Sequence, residues 1–459
     1  MADHQLIIIG GGLSGLAAGI RAARFGQKTL IVEQHSLPGG LNSYYLRQGH
    51  LLETGLHAMT NFAPPRVKHA PLNRLFRQLQ LSRKEFTTHE QIESEVLFPG
   101  ITLRFSNDLN LLIEEVADHF PLAVDRFRSL VREVDAYDPF AERPWQSART
   151  FLRSRLADPL LEDMLLLPLM VYGNAEEDDM DMGQFAIMFR AVFLEGFFRP
   201  AGTIKDLLDR LLAQYKAFGG EIRFRAPVSH ILTEGGIVRG ISLQSGEELF
   251  AEAVLSTAGI LGTAEMSGWP LEPDRYTGRM SFMETITLLP ELHLPPERSG
   301  KTIIFYNQQE RLNYHRPSGP IDPSWGVICF PNNFQGLVQN NRPVQVRVTN
   351  AANYNIWRQA NEAEYRQLKE DCGQQSAAAV RQILGDYSRD AVFQDSFTPL
   401  TIERFTGKCA GAVYGSPVKI KSGKTPWPNL FIAGTDQGYL GIVGSMLSGV
   451  TIVNQHLLK

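Results

Sequence analysis

Residues 5–33 read QLIIIGGGLSGLAAGIRAARFGQKTLIVE, which places an apolar run, a glycine-rich stretch, a periodic segment and a second apolar run in direct succession. The β-branched run Leu6–Ile9 is typical of a strand inside a parallel sheet. Leu13, Leu16 and Ile20 then recur at helical spacing. The segment therefore predicts a strand, a glycine-rich turn, a helix and a second strand.

The glycines of the turn have the spacing GxGxxG, at Gly10, Gly12 and Gly15. The first glycine allows a tight turn, the second lets the backbone approach a pyrophosphate, and the third lets the helix pack close to the strand. The amino end of the helix then faces the anion. Glu33 ends the second strand, where a carboxylate can accept hydrogen bonds from ribose hydroxyls. An acid there disfavours a 2′-phosphate, so the motif predicts FAD or NAD rather than NADP.

A second strand–glycine–helix unit lies near the end of the sequence. Residues 429–436 read NLFIAGTD, and Gly441 then opens an apolar segment that we predict to be helical over Ile442–Leu458. The amino end of such a helix can stabilise the negative charge of a reduced flavin ring. We expect Asp436 to hold ribityl or phosphate-side hydroxyls, and we favour FAD over NAD.

These segments resemble the FAD-dependent oxidoreductases that include phytoene desaturase, carotenoid isomerase and retinol saturase. The resemblance covers most of the chain in order, through LIIIGGGLSGLAAG, LIVEQHSLPGG, LLETGLHAM, residues 197–259, TPLTIERFTG, GAVYG and NLFIAGTDQGYLGIVGSMLSG. The segments ETGLH and FFRPAG are most similar to the saturase and isomerase branch. Amine oxidases of the same fold usually carry Arg after the paired glycines, whereas this chain has Leu41, which disfavours an amine oxidase.

The resemblance implies an α/β fold with two parts. The first is a Rossmann-like FAD-binding domain of glutathione-reductase-like, amine-oxidase-type topology. It is discontinuous and consists of residues 1–65, 200–265 and 400–459. The second is an inserted α+β substrate-binding domain of residues 66–199 and 266–399.

The resemblance also implies FAD as the cofactor and places the backbone of Val228 against the adenine. A second GxGxxG does not follow, so NAD(P)H is expected only as a transient electron donor. The motifs and the resemblance together assign cofactor contacts to Gly10, Gly12, Leu13, Ser14, Gly15, Glu33, Gly40, Leu41, Asn42, Gly55, Val228, Gly434, Asp436, Gly441, Ile442 and Val443.

Aromatic residues at a spacing of four suggest a wall for an apolar substrate. If the segment is helical, Phe185, Phe189, Phe193 and Phe197 form one continuous stripe. We interpret the stripe as one side of a substrate channel, since the relatives handle polyenes. The alternative is an ordinary core face, because an apolar stripe usually means burial.

Polar candidates for catalysis are few. His57 is the best of them, because the relatives place ETGLH beside the flavin, although a packing or hydrogen-bonding role is the alternative. Tyr172 interrupts an apolar stretch and is predicted to point into the substrate pocket. Arg404 lies in the family-like segment TPLTIERFTG.

Charge and cysteine content exclude several classes of protein. The net charge of −4 argues against a nucleic-acid partner, which would require a basic surplus. Three widely separated cysteines predict neither a disulfide framework nor a zinc site, and favour a reducing cytoplasm. The acidic run Glu176–Asp181 lacks the spacing of a calcium loop. We therefore expect no metal site.

Membrane contact is expected at most on a surface. We predict no signal peptide, and the apolar stretch 185–198 is shorter than the ~20 residues of a membrane span. Residues 66–84 contain six basic residues and no acid, together with Leu72, Leu75 and Phe76 on one helical face. Such a helix can lie on an anionic membrane, on its cytoplasmic side, or be a solvated surface helix. The sequence predicts no oligomeric state.

Three functions remain open. The favoured one is an FAD-dependent oxidoreductase that desaturates, saturates or isomerises carbon–carbon bonds of a long, apolar, isoprenoid or carotenoid-like substrate. The second is an FAD-dependent amine or protoporphyrinogen-type oxidase. The third is a non-redox protein of the same architecture that escorts prenyl groups and uses no FAD.

Overall fold

The computed structural model describes residues 3–337 and 343–458. The strands of the described residues are β1 (His4–Ile9), β2 (Thr29–Val32), β3 (Tyr44–Arg47), β4 (His50–Glu53), β5 (Thr88–Glu90), β6 (Glu93–Phe98), β7 (Ile101–Phe105), β8 (Phe198–Pro200), β9 (Glu221–Arg223), β10 (Val228–Glu234), β11 (Ile237–Leu243), β12 (Glu248–Ser256), β13 (Ser281–Leu289), β14 (Lys301–Asn307), β15 (Ile321–Cys329), β16 (Val344–Ala352), β17 (Phe393–Phe397) and β18 (Leu430–Ile432).

The α-helices of the same residues are α1 (Leu13–Arg24), α2 (Pro71–Leu79), α3 (Leu109–His119), α4 (Val124–Ala136), α5 (Ala148–Leu156), α6 (Pro159–Gly173), α7 (Met182–Phe189), α8 (Ile204–Ala217), α9 (Gly259–Ser267), α10 (Pro273–Tyr276), α11 (Tyr354–Gln359), α12 (Glu362–Leu384), α13 (Pro399–Thr406) and α14 (Gly441–Ile452). The predicted strand, turn, helix and strand at the start of the chain are confirmed. The predicted last helix is α-helical over Gly441–Ile452 and continues as a π-helical turn over Val453–Leu457.

The first sheet contains the parallel strands β18, β12, β1, β2 and β9, and β12 also pairs with the antiparallel hairpin β10–β11. The fully buried residues of β1 and β2 explain why these strands read as unbroken apolar runs. Because the strands are parallel, the ends of β1, β2, β12 and β18 meet at one edge. The two glycine-rich turns of the sequence lie at this edge.

Helices α1, α2, α8 and α14 share one apolar core against the first sheet. Contact between α1 and α14 is very close, since a Cβ on Gly449 would lie 2.0 Å from the carbonyl oxygen of Ser14. The amino ends of these two helices are therefore fixed relative to each other, although one lies near each end of the sequence.

The second sheet has the order β17–β13–β16–β15–β14–β6–β7, and all its neighbouring strands are antiparallel except β14 and β6. Helices α3–α7 pack against this sheet and share with it an apolar core that includes Phe105 and Trp325. Helix α12 packs on β15 and β16. The division into two domains stays a proposal, supported by sheet membership: the predicted FAD-binding segments contain the whole first sheet, and the predicted substrate segments contain the whole second sheet.

The basic segment 66–84 does not offer an apolar face to a membrane. Leu72, Leu75, Phe76 and Leu79 of α2 are at most 2% exposed, because they pack in the core beneath α1 and α14. The apolar face on which the membrane interpretation rests is therefore taken up by the core, and contact of residues 66–84 with a membrane surface stays a prediction. None of the helices in the described residues is long and apolar enough to span a bilayer.

Candidate active site

The first glycine-rich turn joins the end of β1 to α1. Gly10 has φ = +102°, and a Cβ there would lie 2.3 Å from Oγ1 of Thr257, so the position requires glycine. A Cβ on Gly15 would lie 2.1 Å from the carbonyl oxygen of Gly10. These two glycines let α1 begin directly against the strand, with its first N–H groups directed out of the turn.

The amino end of α1 is buried and has no side-chain cap. Gly12 is the N-cap residue, and Leu13 and Ser14 are only 3% and 6% exposed. The Ser14 hydroxyl is buried and has no hydrogen-bond partner among the described residues. Buried polar groups normally have partners, so this helix end is suited to an anion that the chain itself does not provide.

Open space lies beside Gly12. A Cβ on Gly12 would come no closer to another group than 3.9 Å, the distance to the carbonyl oxygen of Gly39. The turn is braced on this side, because the N–H of Gly39 donates to the carbonyl of Gly11 at 2.9 Å. The space is where the motif places the pyrophosphate.

Glu33 lies at the same edge and closes the turn. Its Oε2 accepts a hydrogen bond from the N–H of Gly11 at 2.6 Å, and its Oε1 accepts one from the N–H of His35 at 2.8 Å. The carboxylate lines the large cavity described below, as a ribose acceptor would. Glu33 thus follows the end of β2 beside the glycine-rich turn, where the sequence analysis predicts the ribose.

Val228 lies at the first residue of β10, opposite Leu243, and does not line the large cavity. The nearby Ala226 donates its N–H to the carbonyl of Glu33 at 2.9 Å, so this segment is next to the predicted ribose position. The adenine contact at Val228 stays a prediction.

A cavity of about 530 Å³ leads from Glu33 to the amino end of α14. Its middle is lined by Gly40, Leu41, Asn42 and Gly55, which the sequence analysis assigns to the cofactor. Close packing fixes this part, since a Cβ on Gly55 would lie 2.6 Å from Oδ1 of Asn42. Its far end is apolar and is formed by Val171, Phe282, Val327, Val413, Leu440 and Ile442.

Helix α14 begins at this cavity without a side-chain cap. Leu440 is its N-cap residue, and Leu440, Gly441 and Ile442 line the cavity. Val443 is fully buried and packs against α1 in the core, so it does not line the cavity. A second set of uncapped N–H groups therefore lies at the wall of the same cavity, as a flavin ring would require.

Asp436 does not line the large cavity but lines a smaller pocket beside Gly259 and Ile260, and its predicted cofactor contact stays a prediction. Its carboxylate accepts hydrogen bonds from the N–H groups of Ile260, at 2.6 Å, and Ser416, at 2.8 Å. Burial opposes ionisation, but the ammonium groups of Lys408 and Lys419 outweigh it and lower the pKa of Asp436. Asp436 therefore ties three segments together behind the site.

The neighbouring Thr435 lines the cavity instead. Its Oγ1 accepts a hydrogen bond from Nζ of Lys408 at 2.9 Å. Gly434 has φ = +104° and donates its N–H to Oγ of Ser448 at 2.6 Å, so it anchors β18 to α14.

His57 lines the cavity and has a buried carboxylate as its partner. Its Nε2 lies 2.7 Å from Oε2 of Glu284 on β13, and the two side chains are 15% and 9% exposed. Burial lowers the pKa of His57, against the raising effect of Glu284. Because a carboxylate only accepts hydrogen bonds, Nε2 carries a proton in this contact. Nδ1 is buried and has no partner among the described residues.

Glu284 is held ionised by Arg347 on the adjacent strand β16. The Nε of Arg347 donates to Oε1 of Glu284 at 2.6 Å, and its Nη2 contacts the same oxygen. Burial opposes ionisation of Glu284, but Arg347 and His57 outweigh it and lower its pKa to about 2. Thr349, two residues along β16, adds a hydrogen bond of 3.3 Å to Oε2.

A second buried ion pair fixes the backbone of the His57 segment. Arg199 on β8 pairs with Glu53 and also donates to the carbonyls of Leu56 and His57. Glu53 in turn accepts the N–H of Ile204, at 2.6 Å, at the start of α8. The segment ETGLH is therefore held by groups from several elements.

Tyr172 lines the apolar end of the cavity, as predicted for a pocket residue. Its hydroxyl lies 3.5 Å from Sγ of Cys329, and burial raises the pKa of Cys329 to about 12. Tyr414 lies beside it, with its hydroxyl on the carbonyl of Val171. Both phenols are neutral at physiological pH, since burial raises the pKa of each.

The aromatic stripe is a core face and not a channel wall. Phe185, Phe189, Phe193 and Phe197 are at most 1% exposed, and none lines the cavity. Helix α7 ends at Phe189 and a π-helical turn follows, so the rings pack on one another and on Phe105. Only Phe197 comes near the cavity, through its contact with the ring of Tyr172.

Arg404 does not reach the cavity either. It lies on α13 with an exposed side chain whose guanidinium is 5.4 Å from the ring of Phe405. Thr401, Ile402 and Phe405 of the same helix do line the cavity. The family-like segment is therefore close to the site, but the predicted catalytic role of Arg404 has no geometric support.

The sequence analysis missed Glu284 and Arg347. Both are single charged residues inside otherwise apolar strands, SFMETITLL and VQVRVTNAA. Such residues are seldom buried unless they are paired, which is the signal that could have identified them. Their pairing depends on the register that places Glu284 opposite Thr349.

The sequence pattern of the flavin-containing amine oxidoreductase family matches residues 13–455 of this chain. The chain belongs to that family, and the predicted FAD-dependent oxidoreductase class agrees with it. The cradle fits FAD, because it offers a buried helix end with an orphaned hydroxyl, an acid beside it and a second uncapped helix end.

Among characterised proteins the chain is similar to enzymes named for polyene substrates. It is 20% identical to prolycopene isomerase of Arabidopsis thaliana over 96% of this chain and 76% of that protein. It is 21% identical to all-trans-retinol 13,14-reductase of Homo sapiens over 99% of this chain and 85% of that protein.

Solved structures show the same fold. An oxidoreductase from Methanosarcina mazei has a TM-score of 0.69 at 16% identity, covering 98% of this chain and all of that one. Wild-type putrescine oxidase bound to putrescine has a TM-score of 0.61 at 14% identity, covering 99% of each chain. These likenesses confirm the predicted fold class.

Proposed function

We propose that this chain is an FAD-dependent enzyme that acts on a carbon–carbon bond of a long, apolar substrate of the isoprenoid or carotenoid type. The reaction is a desaturation, a saturation or a cis–trans isomerisation. NAD(P)H takes part only as a transient electron donor. The similarity to proteins named prolycopene isomerase and retinol reductase supports this substrate class.

The apolar end of the cavity carries the proposal. Val171, Phe282 and Val327 face the space next to the start of α14, where the flavin ring is expected. A hydrocarbon gains free energy by entering such a space, at about 25 cal/mol for each Å² of apolar surface removed from water.

The carboxylates of the cavity argue against an amine substrate. Three acids among the described residues line it, namely Glu33, Glu284 and Asp395. Glu33 binds backbone N–H groups and Glu284 binds Arg347. Asp395 accepts from Tyr45, Arg47 and Lys369. Each of these acids already has partners within the chain, which supports an apolar substrate over an amine.

The escort alternative is weakened by the first turn. A protein without a dinucleotide gains nothing from a buried helix end whose Ser14 hydroxyl has no partner, because such a group costs about 1–3 kcal/mol. The space beside Gly12, where the motif places a pyrophosphate, also favours a dinucleotide-binding protein over an escort protein.

When bound, FAD supplies a two-electron acceptor or donor at its ring. The chain orients it by the amino ends of α1 and α14 and by Glu33. The apolar side chains keep water from the reacting carbons. His57 is a polar group of the cavity that can exchange a proton.

The test begins with the colour of the purified protein, which we expect to be yellow with absorbance released on denaturation. The oxidised and the photoreduced forms are then mixed anaerobically with hydrocarbon polyenes, retinoids and quinones, with putrescine as the amine control. We expect a polyene to change the flavin absorbance or its own isomer composition, and putrescine to change neither.

The Gly12→Val variant, which we expect to bind no FAD, serves as the control without cofactor. Bleaching by the amine in the absence of any reaction with a polyene would reverse the assignment of substrate class. A colourless protein that also fails to take up added FAD would remove the enzyme altogether.

A further inference from the structure

We propose that the substrate carries one anionic group, a carboxylate, and that Arg47 and Lys369 bind this group at one end of the cavity. The inference rests on the proposed function and narrows its substrate class, from any long apolar chain to one with an acidic head group. Arg47 lies on β3 and Lys369 on α12, and the sequence analysis assigned neither residue to the cofactor or to catalysis. The proposed site is therefore additional to the flavin cradle.

The positive charge of the cavity wall is concentrated in one place. Arg47 and Lys369 are the only arginine and lysine among the described residues that line the cavity. Nη1 of Arg47 and Nζ of Lys369 lie 2.8 Å and 3.0 Å from the same oxygen, Oδ1 of Asp395. Burial opposes ionisation of Asp395, but Lys369 outweighs it and lowers its pKa. Two cations thus share one carboxylate, so this ion group has a surplus of one positive charge.

The two cations have hydrogen-bond donors to spare. Among the described residues, Asp395 is the hydrogen-bond partner of both side chains and neither has another. A guanidinium offers several N–H donors in a planar fork that fits a carboxylate, and an ammonium offers further ones. The side chains of Arg47 and Lys369 are 53% and 27% exposed, so a ligand can reach them without disturbing the core.

The register of the second sheet places this ion group relative to the apolar end of the cavity. On β17, Asp395 lies opposite Ile286 of β13, and Phe397 lies opposite Glu284. Alternate residues of a strand share a face, so Ile286, Glu284 and Phe282 follow one another on one face of β13. Asp395, Phe397, Glu284 and Phe282 all line the cavity. At about 3.4 Å for each residue of a strand, Asp395 and Phe282 lie roughly 14 Å apart along the sheet.

The cavity wall therefore changes from charged to apolar along one face of the sheet. A carboxylate bound by Arg47 and Lys369 leaves the apolar chain of the substrate to extend past Phe397 to Phe282. Phe282 belongs to the apolar end, next to the start of α14, where the flavin ring is expected. A pure hydrocarbon would leave the surplus charge unpaired, and a substrate ammonium would be repelled by it.

The test measures binding to the holoenzyme and does not depend on turnover. The Kd values of all-trans-retinoate, of its methyl ester and of retinyl phosphate, which share one polyene, are measured by anaerobic equilibrium dialysis. We expect retinoate to bind about tenfold more tightly than the ester, because the ester cannot accept charge-assisted hydrogen bonds as a carboxylate does. Added salt should reduce this preference, since the ion group is partly exposed.

Variants of the two cations connect the preference to this site. Arg47→Met and Lys369→Met should each abolish most of it, because the remaining cation is neutralised by Asp395. The Kd of the ester and that of FAD should stay unchanged in both. Lys369→Arg keeps the charge and should keep the preference. Arg366→Met is the matched control, because Arg366 is an exposed arginine of the same helix that pairs with Glu362 and does not line the cavity.

The outcomes separate this inference from the proposed function. Failure of retinoate to bind, equal affinities for retinoate and its ester, or an unchanged preference in the two methionine variants would overturn only the inference. Tighter binding of retinyl phosphate than of retinoate would also overturn it, because the anion would then be a phosphate. If retinoate binds as expected but no polyene reacts with the flavin, the proposed function fails and the anion site stands.

Discussion

Nε2 of His57 and Oε2 of Glu284 lie 2.7 Å apart, and this bond joins the loop after β4 to the second sheet. Both side chains are largely buried, and Arg347 completes the group from the neighbouring strand. The bond therefore links the flavin-side segment to the sheet that forms the apolar end of the cavity. Replacement of residues in this group should change the stability of the fold, which can be measured separately from activity.

Replacement of Arg347 by Met leaves the Glu284 carboxylate buried without its cation. We expect the Arg347→Met variant to lose about 3–5 kcal/mol of unfolding free energy, measured by urea denaturation with saturating FAD. The double variant Glu284→Gln, Arg347→Met should recover part of the loss, because the unpaired charge is gone. A loss below 1 kcal/mol in the single variant would contradict the buried pair.

Acid stability should depend on Glu284. Its pKa in the folded chain is lowered from 4.5 to about 2, so its ionised form stabilises the fold above pH 4.5 and this contribution is lost as the pH falls towards 2. The Glu284→Gln variant should lack that part of the pH dependence, on the order of 3 kcal/mol. Unfolding free energies measured from pH 2 to pH 6 compare the two proteins, and parallel curves would refute the expectation.

A valine at Gly12 should abolish FAD binding and leave the fold intact. The chain itself leaves room there, since the nearest group to an added Cβ is 3.9 Å away, so only the cofactor is obstructed. Flavin absorbance and circular dichroism measure the two effects separately. Gly373→Val is the control, because a Cβ on that helix residue meets nothing within 4 Å. Full FAD content in Gly12→Val would show that the pyrophosphate lies elsewhere.

Removal of the Glu33 carboxylate should weaken FAD binding by about 1–3 kcal/mol, the contribution of charge-assisted hydrogen bonds. The Kd of the Glu33→Ala variant, from titration of the apoprotein, measures it. Glu252→Ala, an exposed acid on β12, should leave the Kd unchanged. Equal affinities in the two variants would mean that the ribose does not contact Glu33.

Truncation of Leu75 in α2 should destabilise the protein by about 2–5 kcal/mol, as expected for a fully buried leucine. Leu122→Ala is the control, since Leu122 is 94% exposed and should change the melting temperature very little. Co-sedimentation with anionic vesicles at low and high salt completes the test. If Leu75→Ala lowered vesicle binding without a change in melting temperature, α2 would be a membrane contact after all.

The cofactor cradle could be predicted because its information is local. Gly10, Gly12, Gly15 and Glu33 stand at fixed spacing within one strand–helix–strand unit, and the chemistry of a pyrophosphate and a ribose dictates that spacing. The same local reasoning did not reveal the partners of Asp436, because the residues that bind its carboxylate come from distant segments.

The polar group formed by His57, Glu284 and Arg347 could be predicted only in part. His57 was found because it lies in ETGLH, a segment that resembles the family. Glu284 and Arg347 come from strands whose pairing no local pattern specifies. The interpretation of the aromatic stripe was wrong because periodicity shows which residues share a face and not what that face contacts. The π-helical turn at Arg190–Leu194 has no signature in the spacing that we used.

The close packing of Gly449 on Ser14 has a consequence for synthesis of the protein. While the nascent chain is still on the ribosome, the first turn exists without the helix that is to support it. Loading with flavin must therefore wait until residues 441–452 have emerged from the exit tunnel, and a chain stalled before that point would accumulate without colour.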